Sequence, residues 1–244
     1  MQFESVEIFI FATDEHDSLI ETVNRIILSC NKNDIKRILV IHPEKAAEPC
    51  LSAIEELKEK YPGVVDGKAQ IHRGLGGAIS DSKQWLTASH VILHCADLAI
   101  DLSTVPQMIE QAKKNPDKLV KTSRWLKPDS FHNYSSFKKF FNRIAQAYLR
   151  FLFQSTVTDF TNPVQIMPSE TFKKFPLKES FTPVMLELVL VPVKMGVKIK
   201  ELPTDYYGRE EGKSKNSLFL TLKYLHTSLR VRFFTKVEKM DKAQ

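Results

Sequence analysis

The first part of the chain alternates short apolar runs with longer segments in which apolar residues recur every three or four positions. The short runs predict buried strands, and the segments with helical spacing predict amphipathic helices packed on the sheet. The predicted strands are Val6–Ala12, Lys36–His42 and His90–Asp97, and the predicted helices are Ser18–Cys30, Cys50–Tyr61 and Ile79–Ser89. Such alternation is typical of a mostly parallel sheet that is covered by helices on both faces.

The rest of the chain continues in the same manner. A helix followed by a strand is predicted between Ser103 and Trp125, and a long aromatic and basic helix is predicted for Phe137–Gln154. Beyond it the pattern predicts a strand at Pro163–Pro168, a helix at Pro183–Met195, a strand at Val197–Pro203 and a last amphipathic segment at Ser217–Phe234. Because the chain has no repeat and no low-complexity linker, we expect one α/β domain over residues 1–217. Residues 218–244 are expected to form a basic amphipathic helix and tail, packed on that domain or on a membrane surface.

The composition of the chain predicts a cellular compartment and a class of partner. With 244 residues, of which 43% are hydrophobic, the chain can bury a substantial core. Three widely spaced cysteines, acidic residues near the start and the lack of an apolar run of about 18 residues favour a cytoplasmic protein. The net charge of +6 comes mainly from the part after Lys121, which indicates an anionic partner: phosphate groups, nucleic acid or an anionic membrane.

The loops that follow the predicted strands carry the candidate chemistry, because ligands of open α/β sheets bind beyond the carboxyl ends of strands. Asp97 ends the third predicted strand and could hold a hard divalent cation, although an Asp at this position is also a common turn or helix cap. After the first predicted strand, Asp14 and Glu15 could bind a sugar or base, or could simply begin a helix. His16 and His42 lack the spacing of a metal site.

A glycine-rich segment, "RGLGGA", precedes the third predicted helix. Backbone donors around Gly74, Gly76 and Gly77 could receive a phosphate or a ribose hydroxyl, or the glycines could form a tight turn. The spacing fits neither a Walker loop nor a dinucleotide fingerprint.

Two basic aromatic segments, Phe137–Phe153 and the one that ends at Phe234, have two interpretations. Each could be an amphipathic helix of the core, or each could lie on a membrane surface with its cations near anionic headgroups. In the first segment those cations are Lys138, Lys139, Arg143 and Arg150.

Several motifs in order resemble one enzyme family: "ATDEHDSL", "RGLGGA", "VILHCADL", "TSRW", "VTDFTNP" and "MGVKIKELPTDYYGREEGKSK". From Val6 to Ser217 the chain resembles the family-2 inverting glycosyltransferases, most closely the dolichyl- or polyprenyl-phosphate mannose (or glucose) synthases. The most specific matches to the family pattern lie near the end: Gly196, Glu201, Pro203, Tyr206, Arg209, Gly212, Ser214 and Lys215.

The resemblance implies an A-type glycosyltransferase fold that binds a nucleotide-diphospho-sugar, a GDP- or UDP-hexose, with Mg²⁺ or Mn²⁺. The implied acceptor is a lipid-linked phosphate, and peripheral association with the cytoplasmic membrane face is expected. Asp97 is implied as metal ligand, Asp159 as neighbour of the sugar and acceptor, and Arg209, Ser214 and Lys215 as a phosphate-clamp loop. Asp97, Asp159 and Arg209 are the implied catalytic residues. The implied donor-binding residues are Thr13, Asp14, Glu15, His42, Gly74, Gly76, Ala96, Asp97 and Arg124.

The sequence departs from the family pattern mainly on the donor side. Cys95 stands where the first Asp of an Asp-x-Asp pair is expected, and a thiol is a poor ligand for Mg²⁺. His42 lies where an Asp is usual, Ala12 where a Pro is usual, and Gln165 where a basic or bulky residue is common.

Two other classes of function compete with an active transferase. A catalytically altered member of the family could bind nucleotide-sugars or phosphates as a regulatory protein, as the Cys95 and His42 departures suggest. A nucleic-acid-binding domain would rest on net charge alone, and we expect no nucleic-acid partner.

Overall fold

The computed structural model describes residues 2–208 and 218–240. Its centre is a seven-stranded sheet with the strand order β3-β2-β1-β4-β6-β5-β7. The strands are β1 (Val6–Phe11), β2 (Ile35–His42), β3 (Val65–Ala69), β4 (His90–Cys95), β5 (Leu119–Ser123), β6 (Gln165–Pro168) and β7 (Ile199–Pro203). Only β6 runs against its neighbours β4 and β5 among these strands, so the sheet is mostly parallel.

Eight α-helices surround the sheet within the described ranges. They are α1 (Asp17–Ser29), α2 (Glu48–Lys60), α3 (Gly74–Ser82), α4 (Thr104–Lys114), α5 (Ser136–Phe153), α6 (Ser169–Lys173), α7 (Val184–Met195) and α8 (Leu218–Leu229). A 3-10 turn, Lys83–Trp85, follows α3, and a π turn, Arg230–Phe234, follows α8.

The strand residues alternate between two hydrophobic clusters, one on each face of the sheet. Ile8 and Ile10 of β1 pack with residues of α1, α2 and α4, whereas Phe9 and Phe11 pack with residues of α3, α6 and α7. This follows from the two-residue period of a strand, which sends successive side chains to opposite faces. The predicted α/β class with a sheet covered on both sides is confirmed.

Three elements differ from what the sequence pattern predicts, and one of them is the short helix α6, which was not predicted. Strand β3 was not predicted because Val65–Ala69 contains Asp, Gly and Lys, yet it pairs with β2 as the sheet edge. The third helix begins at Gly74 rather than Ile79 and ends in the 3-10 turn before Ser89. Its start at glycines is explained by a close backbone contact described below, which the hydrophobic pattern does not report.

The register of three strands sets the position of the candidate site. Phe11, the last residue of β1, lies opposite Ile41 of β2 and Cys95 of β4. Ala12 donates its N–H to Ile41 O (3.1 Å), and Ala96 donates to Phe11 O (3.3 Å). The carboxyl ends of β1, β2 and β4 therefore reach the same edge of the sheet at the same level.

Glu7 of β1 is a buried charge on which the amino end of the sheet depends. Its carboxylate accepts hydrogen bonds from Arg37 Nε (2.7 Å), Thr87 Oγ1 (2.7 Å) and the Thr87 N–H (2.8 Å). Burial alone would raise the pKa of Glu7, but the bonds from Thr87 and Ala88 and the charge of Arg37 bring the pKa below its ordinary value.

We expect Glu7→Gln to lower the free energy of unfolding by about 2 kcal/mol at neutral pH, because charge-assisted hydrogen bonds are lost. Since the folded pKa is lowered, this stabilisation is complete above the ordinary pKa of 4.5 and is lost as the pH falls through the folded value. Urea unfolding from pH 7 to pH 3 should show a smaller loss of stability in the variant than in the parent. An equal loss in both would contradict the assignment.

Candidate functional site

The turn after β1 presents exposed side chains at the sheet edge. Glu15 is only 8% exposed, and its Oε2 accepts the N–H groups of Thr13 (2.6 Å) and Asp14 (3.1 Å). Glu15 thus closes its own turn, while the side chains of Thr13 and Asp14 are exposed beside it. Three residues of this loop were predicted to bind a donor. The side chains of Thr13 and Asp14 are accessible to a ligand, whereas the Glu15 carboxylate binds the backbone of the turn.

His42 ends β2 at the same edge and is half-buried. Its Nδ1 lies 2.8 Å from Pro43 O, so that nitrogen carries the proton and donates. Because Nδ1 is engaged by the backbone, Nε2 is the ring atom left to accept from a ligand.

Asp97 follows β4 in a tight turn. It is 8% exposed, its Oδ1 accepts the N–H of Ala99 (3.2 Å), and Leu98 between them has a φ of 53°, in the left-handed region. Cys95, two residues earlier, is half-buried. Within residues 2–208 and 218–240, no group of three or more His, Cys, Asp or Glu side chains is arranged to hold a metal ion. Asp97 is the carboxylate that this turn places at the carboxyl end of β4.

The glycine segment is shaped by a close approach of the chain before α7. A Cβ at Gly76 would lie 1.7 Å from Glu179 O, and one at Gly74 would lie 2.2 Å from Ser180 O. The Gly76 N–H donates to Ser180 O (2.9 Å). Gly74 also has a φ of 82°, which glycine adopts without strain. The Gly76 donor that was predicted to receive a ligand is hence already bonded within the chain.

Arg124, at the end of β5, and Asp159 form a buried ion pair. Arg124 Nε donates to Asp159 Oδ2 (2.7 Å), and an Arg124 terminal nitrogen donates to Asp159 Oδ1 (2.9 Å). Burial by itself would raise the pKa of Asp159, but the adjacent guanidinium and its hydrogen bonds hold that pKa well below its usual range. Asp159 has 0% exposure. Its carboxylate therefore pairs with Arg124 and has no exposed surface for the predicted contact with a sugar or acceptor.

A second buried cation, Lys121, lies beneath this pair. Its Nζ donates to Asp159 O (2.6 Å) and Thr122 O (2.8 Å) and lies 3.8 Å from Glu201 Oε1. Glu201 in turn accepts the N–H groups of Thr158 (2.8 Å) and Asp159 (3.2 Å). Burial lowers the pKa of Lys121 despite the two carboxylates. Sequence reasoning did not assign Lys121 a role; the available signal was a lysine inside a predicted strand, directly after Leu119 and Val120.

Tyr206 connects the Arg124 pair to the Asp97 turn. The Arg124 guanidinium lies 5.6 Å from the centre of the Tyr206 ring, within the range of a cation–π contact. The Tyr206 backbone bridges to Ile100, three residues after Asp97, and the Tyr207 N–H donates to Ala99 O (3.0 Å). The two predicted parts of the site are thus adjacent through the segment after β7.

The predicted phosphate-clamp loop begins directly after this segment. Gly208 has a φ of 88°, in the region that favours glycine. Arg209, Gly212, Ser214 and Lys215 lie outside the described residues, so their predicted role stays a prediction.

Comparison with solved structures shows that the chain shares the fold of a glucosyl-3-phosphoglycerate synthase. Glucosyl-3-phosphoglycerate synthase from Mycobacterium tuberculosis, solved with Mn²⁺, UDP and phosphoglyceric acid, matches with a TM-score of 0.68 and 14% identity. That match covers 96% of this chain and 80% of the synthase. The same synthase with Mg²⁺ and UDP matches with a TM-score of 0.69, 14% identity and coverage of 96% and 81%.

No family model matches the sequence, and no curated protein sequence matches it. At 14% identity the likeness establishes the fold.

The buried ion pair of Arg124 and Asp159 leads to a prediction about stability. Asp159→Asn should lower the free energy of unfolding by about 3 kcal/mol or more, because it leaves Arg124 charged and buried without its partner. Combining it with Arg124→Met should cost less than the sum of the two single changes, with a coupling of about 1 kcal/mol or more.

Chemical denaturation of the four proteins measures this coupling. Glu21→Gln is the matched control, since it breaks an exposed pair with Arg25 and should cost under about 0.5 kcal/mol. Additive effects of the Arg124 and Asp159 changes would contradict the assignment.

Proposed function

We propose that the protein is a glycosyltransferase that moves a hexose from a nucleotide-diphospho-sugar to a phosphate-bearing acceptor. The observation that carries this proposal is the convergence of Thr13, Asp14, His42 and Asp97 at one edge of a sheet with the transferase fold. These groups offer hydrogen bonds to a nucleoside and a carboxylate beside the place where a diphosphate would lie. The proposed donor is a UDP- or GDP-hexose, and the solved synthase with UDP supports the first of these.

The reaction would be a single displacement. An acceptor phosphate oxygen forms a bond to the anomeric carbon while the bond from that carbon to the diphosphate breaks, and the nucleoside diphosphate leaves with the electron pair. An ionised phosphate needs no general base, which agrees with an Asp159 that has no exposed surface. Catalysis would then come from orientation and from stabilisation of the leaving charge.

Mg²⁺ or Mn²⁺ would bind together with the donor diphosphate. Mg²⁺ is commonly held by one or two carboxylates plus substrate phosphates, and Asp97 with those phosphates fits this pattern. Cys95, a soft ligand, fits Mg²⁺ poorly. When bound, the ion would neutralise charge on the diphosphate, and Asp97 would hold it at the end of β4.

Arg209, Ser214 and Lys215 are proposed to bind the donor diphosphate or the acceptor phosphate. Arg is suited to this by its two-pronged hydrogen bonding and Lys by its compact charge. The anchoring of Tyr206 and Tyr207 to the Asp97 turn supports the proposal, because the chain reaches residue 208 beside that turn.

A lipid-linked phosphate is the proposed acceptor, and the surface of α5 supports it. Phe137 is 71% exposed and Phe151 is 86% exposed, and the apolar residues between them recur at helical spacing. Helix α5 contains no Asp or Glu, and Lys138, Arg143 and Arg150 are exposed along it. An apolar face flanked by cations alone is typical of a helix at an anionic membrane surface.

Helix α8 and the π turn extend this surface. Residues 218–234 contain no Asp or Glu, and the exposed apolar side chains described there are Leu222, Leu225, Leu229, Phe233 and Phe234. Tyr148 Oη lies 3.2 Å from Ser228 Oγ, and Arg232 Nε donates to Leu152 O (2.9 Å), so the two segments adjoin. No helix of the described ranges is long and apolar enough to cross a membrane. We propose a cytoplasmic enzyme that associates peripherally with the membrane through this surface.

A binding or regulatory protein with the same fold is the second candidate. The presence of Cys95 beside Asp97 favours it, because the donor edge has one hard oxygen ligand fewer than the family pattern implies.

The two candidates differ in the effect of Asp97→Asn. For a transferase, the change should lower kcat at least about 100-fold, since stabilisation of the leaving charge is lost, and should remove the Mg²⁺ or Mn²⁺ dependence of donor affinity. Transfer from GDP- and UDP-hexoses and thermal shifts with each donor are the measurements. Asp101→Asn, four residues along, is the control and should retain activity. Wild-type protein that binds donor without turnover would support the binding protein.

Membrane association makes a separate prediction. Phe151→Ser should weaken binding to vesicles that contain anionic lipid by about tenfold, because a buried Phe contributes about 1.5–3 kcal/mol. Leu28→Ser is the matched control: Leu28 is 82% exposed but lies on α1, and its replacement should leave binding unchanged. Flotation at low and high salt measures both. Equal effects of the two changes would count against the proposed surface.

A further inference from the structure

Arg230, in the π turn after α8, joins the C-terminal segment to the chain beside the glycine turn. We propose that Arg230 is a positioning residue: through Glu179 it holds the backbone on which Gly74–Gly76 rests, and so it supports donor binding. The donor part of this inference rests on the function proposed above.

The contact between the glycine turn and the segment 179–181 is the first step. Gly76 lies in the first turn of α3, where N–H groups have no carbonyl partner within the helix. The structure satisfies that donor with Ser180 O at 2.9 Å. Because any Cβ at Gly74 or Gly76 would overlap the carbonyls of Ser180 or Glu179, the two backbones are fitted to one another. Displacement of segment 179–181 must therefore displace the turn.

The attachment of segment 179–181 is the second step. Glu187 of α7 has 0% exposure, and its Oε2 accepts the N–H groups of Lys178 (2.9 Å) and Glu179 (2.8 Å). One terminal nitrogen of Arg230 donates to both Glu187 Oε1 (2.5 Å) and Glu179 Oε1 (2.9 Å). Thr227 Oγ1 adds a bond to Glu179 (2.7 Å). Two carboxylates are thus held together by one guanidinium, and without it they would repel each other.

The place of the turn in the molecule is the third step. Leu75 and Ile79 of α3 line the same small apolar cavity as Phe11 and Cys95, at the ends of β1 and β4. The glycine turn is therefore adjacent to the edge that carries Asp97. The chain of contacts runs from Arg230 through Glu179 and Ser180 to Gly76 and on to the donor edge. The same C-terminal segment carries the proposed membrane surface. The contacts of Arg230 with Glu179 and Glu187 would therefore hold both this segment and the donor edge in place.

Amide-resolved hydrogen exchange on the full chain without ligand tests the support directly. In Arg230→Gln the Gly76 amide should exchange at least about tenfold faster, while amides of β1 such as Ile8 and Ile10 keep the wild-type rate. Arg230→Lys, which retains the charge, should restore the Gly76 rate to within about threefold. Arg232→Gln is the matched control, because Arg232 lies in the same π turn but donates to Leu152 O, away from the glycine turn.

A second variant tests the proposal if Arg230→Gln does not fold. Glu179→Ala keeps the Arg230–Glu187 pair and should also accelerate exchange at Gly76. An unchanged Gly76 rate in the folded variants would overturn the proposal, as would equal acceleration in Arg232→Gln or throughout β1.

Affinity for the donor is the functional readout. Arg230→Gln should raise the Kd for the UDP- or GDP-hexose that the wild type binds by about tenfold, with no change in KM for the acceptor. Faster exchange at Gly76 with an unchanged Kd would overturn the donor role. If wild-type protein binds no nucleotide-sugar, the proposed function fails, whereas the exchange result still decides whether Arg230 holds the turn.

Discussion

The parallel register of β1 between β2 and β4 is the constraint on which the candidate site depends. Because Phe11 lies opposite both Ile41 and Cys95, the three strands end at one level, and their following loops meet there. A shift of one residue would move each side chain of β1 into the opposite hydrophobic cluster, so the packing of both clusters favours this register. The position of Asp97 relative to Thr13 and His42 is thus a consequence of core packing.

Buried ion pairs join segments that the sheet alone would leave independent. Glu7 holds Arg37 and the chain at Thr87, Asp159 holds Arg124, and Glu187 holds Arg230 together with the chain at Glu179. Such pairs contribute little to stability compared with apolar replacements, but removing one partner is costly. Their common effect is geometric, since each fixes a loop or turn near an end of the sheet.

The residues that depart from the family pattern have different positions and contacts in the structure. Cys95 is half-buried at the carboxyl end of β4, two residues before Asp97. Gln165 is fully buried in β6 and donates to Leu188 O (3.1 Å), so it belongs to the contact between the sheet and α7. The Arg124–Asp159 pair shows that two residues assigned by resemblance to separate tasks act together as one support next to Tyr206.

The sequence by itself determined the strand and helix alternation, the long basic aromatic helix α5 and the candidate loops, because each follows from local periodicity or composition. It did not predict β3, because the Asp, Gly and Lys of this edge strand give no apolar pattern, and it did not predict the start of α3 at Gly74. Only the tertiary structure decided that Gly76 bonds to Ser180, that Asp159 pairs with Arg124 and that Arg230 reaches Glu179. The physical reason is that these contacts join residues far apart in the chain, and hydrophobic periodicity carries no information about which distant polar groups will satisfy one another.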